Sequence, residues 1–160
     1  MQRLLGGLLA FVVVSVLPAL AGEDDVRAAF GQLQKAIKAR DPDQIWGLID
    51  DDTQSDANRA AKAVSAAFAK ADDKAKGDFA KKYGLSAKEL ADMNGKLFLK
   101  SNRFQGKYYE IPGSKIDSVK VKGDSAKLTY IEDDGDKEKL TLVKQKGAWK
   151  FVLPMPKAVD

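Results

Sequence analysis

Hydrophobic periodicity predicts an α+β fold for this 160-residue chain, with N-terminal helices packed on a four-stranded antiparallel sheet. Three observations predict it. Val26, Phe30, Leu33 and Ile37 recur at helical spacing and make one apolar stripe. In the last third the period falls to two: Ala126, Leu128 and Tyr130, then Leu140 and Leu142, then Trp149, Phe151 and Leu153 alternate with polar neighbours. Gly123-Asp124, Asp133-Asp134-Gly135-Asp136 and Lys146-Gly147 separate those runs with residues that suit tight turns.

Taken in order, the chain opens with a segment that is not expected to join the fold. Arg3 makes a short basic start, Leu4 to Val16 is almost wholly apolar, and Pro18 precedes Ala19-Leu20-Ala21. That layout predicts a secretory signal peptide over 1–21, cleaved after Ala21, and a single domain over 22–160. The alternative, an uncleaved anchor, draws on the length of the apolar run. No cysteine follows the run, so lipid attachment there is excluded.

The helix carrying Val26 to Ile37 should stop at Asp41-Pro42, where Asp41 caps a short second helix, Pro42 takes its first position and Gln44 reaches back. Ile45, Trp46, Leu48 and Ile49 give that helix an apolar surface to bury. Asp50-Asp51-Asp52-Thr53 reads as a polar turn, with Ser55 or Asp56 capping a third helix that runs to about Tyr83 and bends between Asp72 and Gly77. Ala60, Val64, Ala67, Phe68, Ala71 and Phe79 are its apolar positions, and its Ala/Lys-rich make-up favours helix. Gly84 ends it. Ser86 with Glu89 makes a capping box for a fourth helix bearing Leu90, with Leu85 and Met93 beside it. Leu97-Phe98-Leu99 predicts one more helical turn after Gly95. From Phe104 the pattern reads as extended, with a short strand at Tyr108 to Ile111 closed by Pro112-Gly113. The four strands proper are Ile116 to Lys122, Ala126 to Glu132, Lys139 to Gln145 and Ala148 to Leu153.

Composition removes several chemistries. Lys+Arg number 27 against 23 Asp+Glu, and there is no His and no Cys. Without them there is no imidazole base for a Ser or Cys nucleophile, no Cys/His zinc site and no thiol redox couple. Catalysis would have to use carboxylates, Lys, Tyr, or a hard cation on oxygen ligands. The lysines outnumber arginines and are interspersed with acids and alanines, without the clustered Arg and interleaved aromatics of nucleic-acid readers. No nucleic-acid partner is therefore expected, and a membrane enters only through the signal peptide. An exported chain with no disulfide must be held by burial alone.

Two stretches carry a family likeness. Ala36-Ile37-Lys38-Ala39-Arg40-Asp41-Pro42-Asp43-Gln44-Ile45-Trp46-Gly47-Leu48-Ile49 resembles the opening helix, the Asp at the break and the short plugging helix of the nuclear transport factor 2-like, cystatin-like cone superfamily. Gly147-Ala148-Trp149-Lys150-Phe151-Val152 is similar to the last strand of many members. The resemblance implies a curved, cone-like sheet around the helices. It selects no function, because isomerases, dehydratases, transport factors and exported domains without known activity share that fold. The chain departs from the family in its long helical region between Asp56 and Leu99.

Enzymes of the superfamily set a carboxylate and a Tyr inside the cone. Tyr83, Tyr108, Tyr109 and Tyr130 are the available hydroxyls, but no carboxylate falls at an inward position, and the dehydratases' His has no counterpart. No catalytic, cofactor or metal residue is assigned. Trp46, Tyr108, Tyr130 and Trp149 are the candidate pocket-lining residues, with core packing the favoured role for each. Asp50-Asp51-Asp52 with Asp56, and Asp133 to Asp136, offer carboxylates to calcium but lack the spacing of a calcium loop. The function expected is an exported, non-enzymatic binding or interaction module for a small molecule or protein. The alternatives are a small-molecule isomerase or dehydratase and a structural envelope protein. A monomer is favoured over a homodimer, because Lys120, Lys122, Lys127, Lys137, Lys139, Lys144 and Lys150 would crowd the sheet's outer face.

Overall fold

The structure is a computed structural model that describes residues 19–159. The predicted signal peptide falls, over residues 1–18, outside the described residues. No described helix is long and apolar enough to cross a membrane.

Helix α1 spans Ala19–Ala39 and buries Val26, Phe30, Leu33 and Ile37, the predicted stripe. It closes as a Schellman turn: the Arg40 amide donates to Ile37 O at 3.0 Å and the Asp41 amide to Ala36 O at 3.0 Å, with Arg40 in the left-handed region at φ 51°. Asp41 then caps α2, Pro42–Leu48, its Oδ1 accepting from the amides of Asp43 and Gln44 at 3.0 Å each. The cap is one-sided: no bond returns from the Gln44 side chain to Asp41 among the described residues. Ile45 is buried, while Trp46 and Leu48 are half-buried against the core.

The chain next lays Ile49 and Asp50 along the last strand. Ile49 bridges Phe151, and the Asp50 amide donates to Phe151 O at 3.1 Å. A sheet edge that would present unpaired backbone groups is covered in this way. Here the structure corrects the expected polar turn. Helix α3 starts at Asp51 and runs to Lys70, capped by Asp50 rather than by Ser55 or Asp56. The physical reason is tertiary: Thr53 is buried, and its Oγ1 accepts the Leu153 amide at 3.1 Å, a bond that fixes the first helical turn against the sheet.

The predicted bend resolves into a full break. Helix α4, Asp73–Tyr83, is separately capped by Asp72, whose Oδ1 accepts from the Ala75 amide at 2.8 Å. Gly84, at φ 64°, ends it, where a side chain would collide with Asn102. Helix α5, Ala87–Ala91, carries the Ser86–Glu89 capping box, and α6, Gly95–Lys100, buries Phe98 and Leu99.

A second correction concerns Phe104 to Ile111, expected to be extended. Asn102–Lys107 is helix α7, and Ile111–Gly113 is a short 3-10 turn. Phe104 and Tyr108 lie one helical turn apart, both buried, with ring centroids 4.9 Å apart. Ser101 caps the helix, its Oγ accepting the Phe104 amide. The carbonyls of Ile111 and Ser114 are taken by the Gln34 amide, at 3.0 and 2.8 Å.

Strands β1 Lys115–Lys122, β2 Ser125–Ile131, β3 Lys137–Gln145 and β4 Ala148–Val152 form an antiparallel meander in sequence order, as predicted. The register sets Val119 opposite Leu128, Leu128 opposite Leu140 and Leu142 opposite Phe151 on the face that meets α1 and α2. One assignment changes face. Lys144 stands opposite Trp149, so it belongs to the inner side and extends over the Trp149 ring at 5.8 Å.

Two apolar cores result. One joins α1, α2, α7 and the sheet; the other joins Val64, Phe68, Tyr83, Leu90 and Phe98 of the helical region, and Met155 of the C-terminal segment touches both. Among the described residues, every core residue lies at or beyond Val26. The C-terminal segment is tied down by Tyr83, whose hydroxyl donates to Ala158 O, and by Arg103 Nε donating to Lys157 O at 3.0 Å.

Candidate functional site

The open end of the sheet, where β2 leaves and β3 enters, gathers a cluster of titratable groups. Inner-face alternation along β2 places Ala126, Leu128 and Tyr130 inward and carries on to Glu132 just past the strand. The same alternation backwards along β3, from Leu142 through Leu140, reaches Glu138, which stands opposite Tyr130. Glu110, between α7 and the 3-10 turn, approaches from the helical side.

These residues line an open hollow of about 380 Å³ with Lys107, Tyr108, Lys139, Leu140 and Pro154. Tyr108 and Tyr130, both buried, floor it. Tyr108 donates its hydroxyl to Pro154 O at 2.7 Å, and Lys107 Nζ reaches the same carbonyl at 2.8 Å. Tyr130 packs on Phe30 with centroids 5.6 Å apart.

Oxygens of Glu110, Glu132 and Asp134 lie within 4.8 Å of one another. Two carboxyl groups that close share a proton more readily than they both ionise. A hydrogen bond to Glu110, then burial, then the charges of Glu110, Glu138 and Asp134 push Glu132 up to about 7. Burial, reinforced by the Glu132 and Glu138 charges, raises the Tyr130 hydroxyl far above the usual phenol range, and burial does the same to Tyr108. Exposed Tyr109 is also raised, first by its hydrogen bond to Glu110. Chemically, the hollow offers one carboxyl that exchanges its proton near neutrality beside phenols that keep theirs. The three carboxylates are also the oxygen set that a hard cation would use.

The four residues singled out from sequence do not form one site. Tyr108 and Tyr130 meet at this hollow. Trp149 lies in another, of about 410 Å³, with Asp25, Gln32, Gly47, Leu48 and Lys150. There its indole Nε1 is buried with no partner among the described residues. Trp46 lies against Gly95 and Asn58 in neither hollow. Glu110, Glu132 and Glu138 escaped the sequence reading. The signal for two of them was present, since both continue the inner-face alternation of Tyr130 and Leu140. Glu110 had none, because its approach depends on the helical turn at 102–113.

The aspartate clusters serve the backbone. Asp50 caps α3, Asp56 pairs with Arg59 at 2.8 Å, and Asp51 lies 3.8 Å from Lys146. In the β2–β3 turn the Asp136 amide donates to Asp134 Oδ1 at 3.0 Å, Gly135 sits at φ 95°, and the Asp133 carboxylate rests on Gly113.

No family model, curated protein or solved structure matches the chain.

Proposed function

We propose that the protein is an exported, non-enzymatic binding module of the cone-like, nuclear transport factor 2-like kind, which engages its partner through its outer surface. One observation carries this reading: the space between helices and sheet, where a cone holds a ligand, is filled by protein. Phe30, Leu33, Ile45, Phe104, Leu128, Leu142 and Phe151 are each at most 1% exposed, and Phe30 lies 6.5 Å from Phe151 across that space. The hollows that remain are open and lie at the rims. Native mass spectrometry on Gly22–Asp160 from its natural extracytoplasmic fraction tests the reading. A bare chain is the expected result; a retained small molecule released on denaturation would overturn it.

A second reading, a small-molecule isomerase or dehydratase, is favoured by Glu132 beside Tyr130 at the sheet's open end. It requires a small molecule to bind there. A fragment screen read by chemical shifts of Glu132 and Tyr130 decides it, and no shift at either residue would remove it.

A further inference from the structure

The sheet's outer face carries a charge pattern that the rest of the molecule does not. Register places Lys115, Lys120 and Lys122 of β1, Lys127 of β2, Lys137 and Lys139 of β3 and Lys150 of β4 on that face, with Asp117 at the β1 bulge as its acid. Leaving out Lys150, whose amine turns to Gly47 O of α2, that is six lysines against one aspartate, an excess of five, on a chain of net charge +4, so all other residues together carry −1.

Along the helices acids and bases are interspersed, and three cations pair with acids: Lys96 with Asp43 at 2.6 Å, Lys100 with Glu89 at 2.8 Å, Arg59 with Asp56 at 2.8 Å. On the sheet, Lys137 pairs with Asp117 at 3.1 Å and the Lys150 amine donates to Gly47 O. Lys115, Lys120, Lys122, Lys127 and Lys139 make no ion pair among the described residues. Lys120 even stands directly opposite Lys127, a like-charge pairing that weakens a sheet. A surface shaped for solubility alone would mix the signs, as the helical side does.

We propose that this face docks onto a bilayer that carries anionic headgroups; the proposal rests on the surface-binding reading above and names the partner. Three features favour that occupant. The face is an open sheet four strands wide, with its lysines spread over β1, β2 and β3 rather than lined along one groove. Its cations are all lysines, compact point charges suited to a diffuse anionic layer, whereas bidentate recognition of single phosphates or carboxylates uses arginine. Between them stand Ser118, Ser125, Thr129, Thr141, Val143 and Val152, with no aromatic on which a nucleic-acid base could stack. A second copy of the chain is disfavoured by the same like charges.

The test is co-sedimentation of Gly22–Asp160, which holds every core residue among those described, with phosphatidylcholine vesicles with and without phosphatidylglycerol. Binding is expected only with phosphatidylglycerol and should weaken as salt rises. Each lysine near such a surface strengthens binding about fivefold, so Lys120→Gln/Lys127→Gln should bind roughly 25-fold more weakly. Lys74→Gln/Lys81→Gln, on α4 away from the sheet, should bind like the parent. Both substituted lysines on the sheet are exposed, and circular dichroism checks that the variants fold. No binding to phosphatidylglycerol vesicles, or equal loss in both double variants, overturns the proposal. So does tighter binding to heparin or duplex DNA than to vesicles at equal ionic strength. A retained interior ligand in the mass spectrum would instead sink the surface-binding reading, and the two failures are told apart by which experiment reports them.

Discussion

Gly95→Ala and Gly31→Ala are the same chemical change with opposite expected signs, and the pair tests how Trp46 is held. A Cβ at Gly95 would lie 2.6 Å from Trp46 Cζ3 and 2.6 Å from Asn58 Oδ1, where ordinary contact begins at 3.4 Å. Both neighbours are tied to their surroundings, Asn58 through its side chain and Trp46 through its backbone. Asn58 Oδ1 accepts the Gly95 amide at 3.0 Å, and the Trp46 carbonyl is bound by Gln54 Nε2 at 2.9 Å. Overpacking of this kind costs about 1–3 kcal/mol. Loss of the Gly95–Asn58 hydrogen bond adds about 1 kcal/mol. Alanine's helix propensity returns at most about 1 kcal/mol, and less at the first position of a helix. The net expectation is a loss of about 1–3 kcal/mol, or a melting temperature lower by roughly 4–12 °C for a chain of this size. At Gly31, inside α1, the added methyl meets nothing within 4 Å. There only the propensity term survives, a gain of about 1 kcal/mol and roughly 4 °C. Thermal melts followed by circular dichroism and tryptophan fluorescence measure both. A Gly95→Ala variant as stable as the parent would refute the packing of Trp46 against α6, and with it the structural role assigned to that ring.

Two carboxylates should shape the pH dependence in opposite directions. Hydrogen bonds from Lys100 and then from Ser86 hold Glu89 at about 2, below its ordinary 4.5, so it stabilises the fold above pH 4.5 and that contribution is lost as pH falls toward 2. Glu89→Gln should flatten the acid limb of a stability profile, and an unchanged limb would contradict the capping-box pairing. Glu132, raised to about 7, favours the fold at low pH, and its contribution is lost as pH rises from 4.5 through 7. Glu110→Gln should therefore lower the Glu132 titration, read from its carboxyl carbon by NMR; a midpoint that stays near 7 would show that Glu110 is not the cause.

Periodicity determined the helix-then-sheet order, the four strands and their inward apolar residues, and capping chemistry the helix stops at Asp41 and Gly84. Those features are set locally, by spacing of apolar side chains and by residues that cap or turn the backbone. The cap of α3 at Asp50 was decided by distance instead: Thr53 must reach Leu153, and nothing near Thr53 in the chain announces it. Asn102 to Lys107 is helical because Ser101 caps it, its Oγ accepting the Phe104 amide, and the helix sets the Phe104 and Tyr108 rings on one buried face. Lys144 continues the inward alternation of Leu140 and Leu142, so its face was legible in the sequence, and the pairing with Trp149 agrees with that alternation. Tyr108 and Tyr130 were recognisable as candidates one by one, yet the hollow they share with Glu110, Glu132 and Glu138 exists only in three dimensions. The reason is electrostatic as much as geometric: a carboxyl shifts its proton affinity only when another charge is folded against it, and Glu110 meets Glu132 across a separation that no local pattern spans.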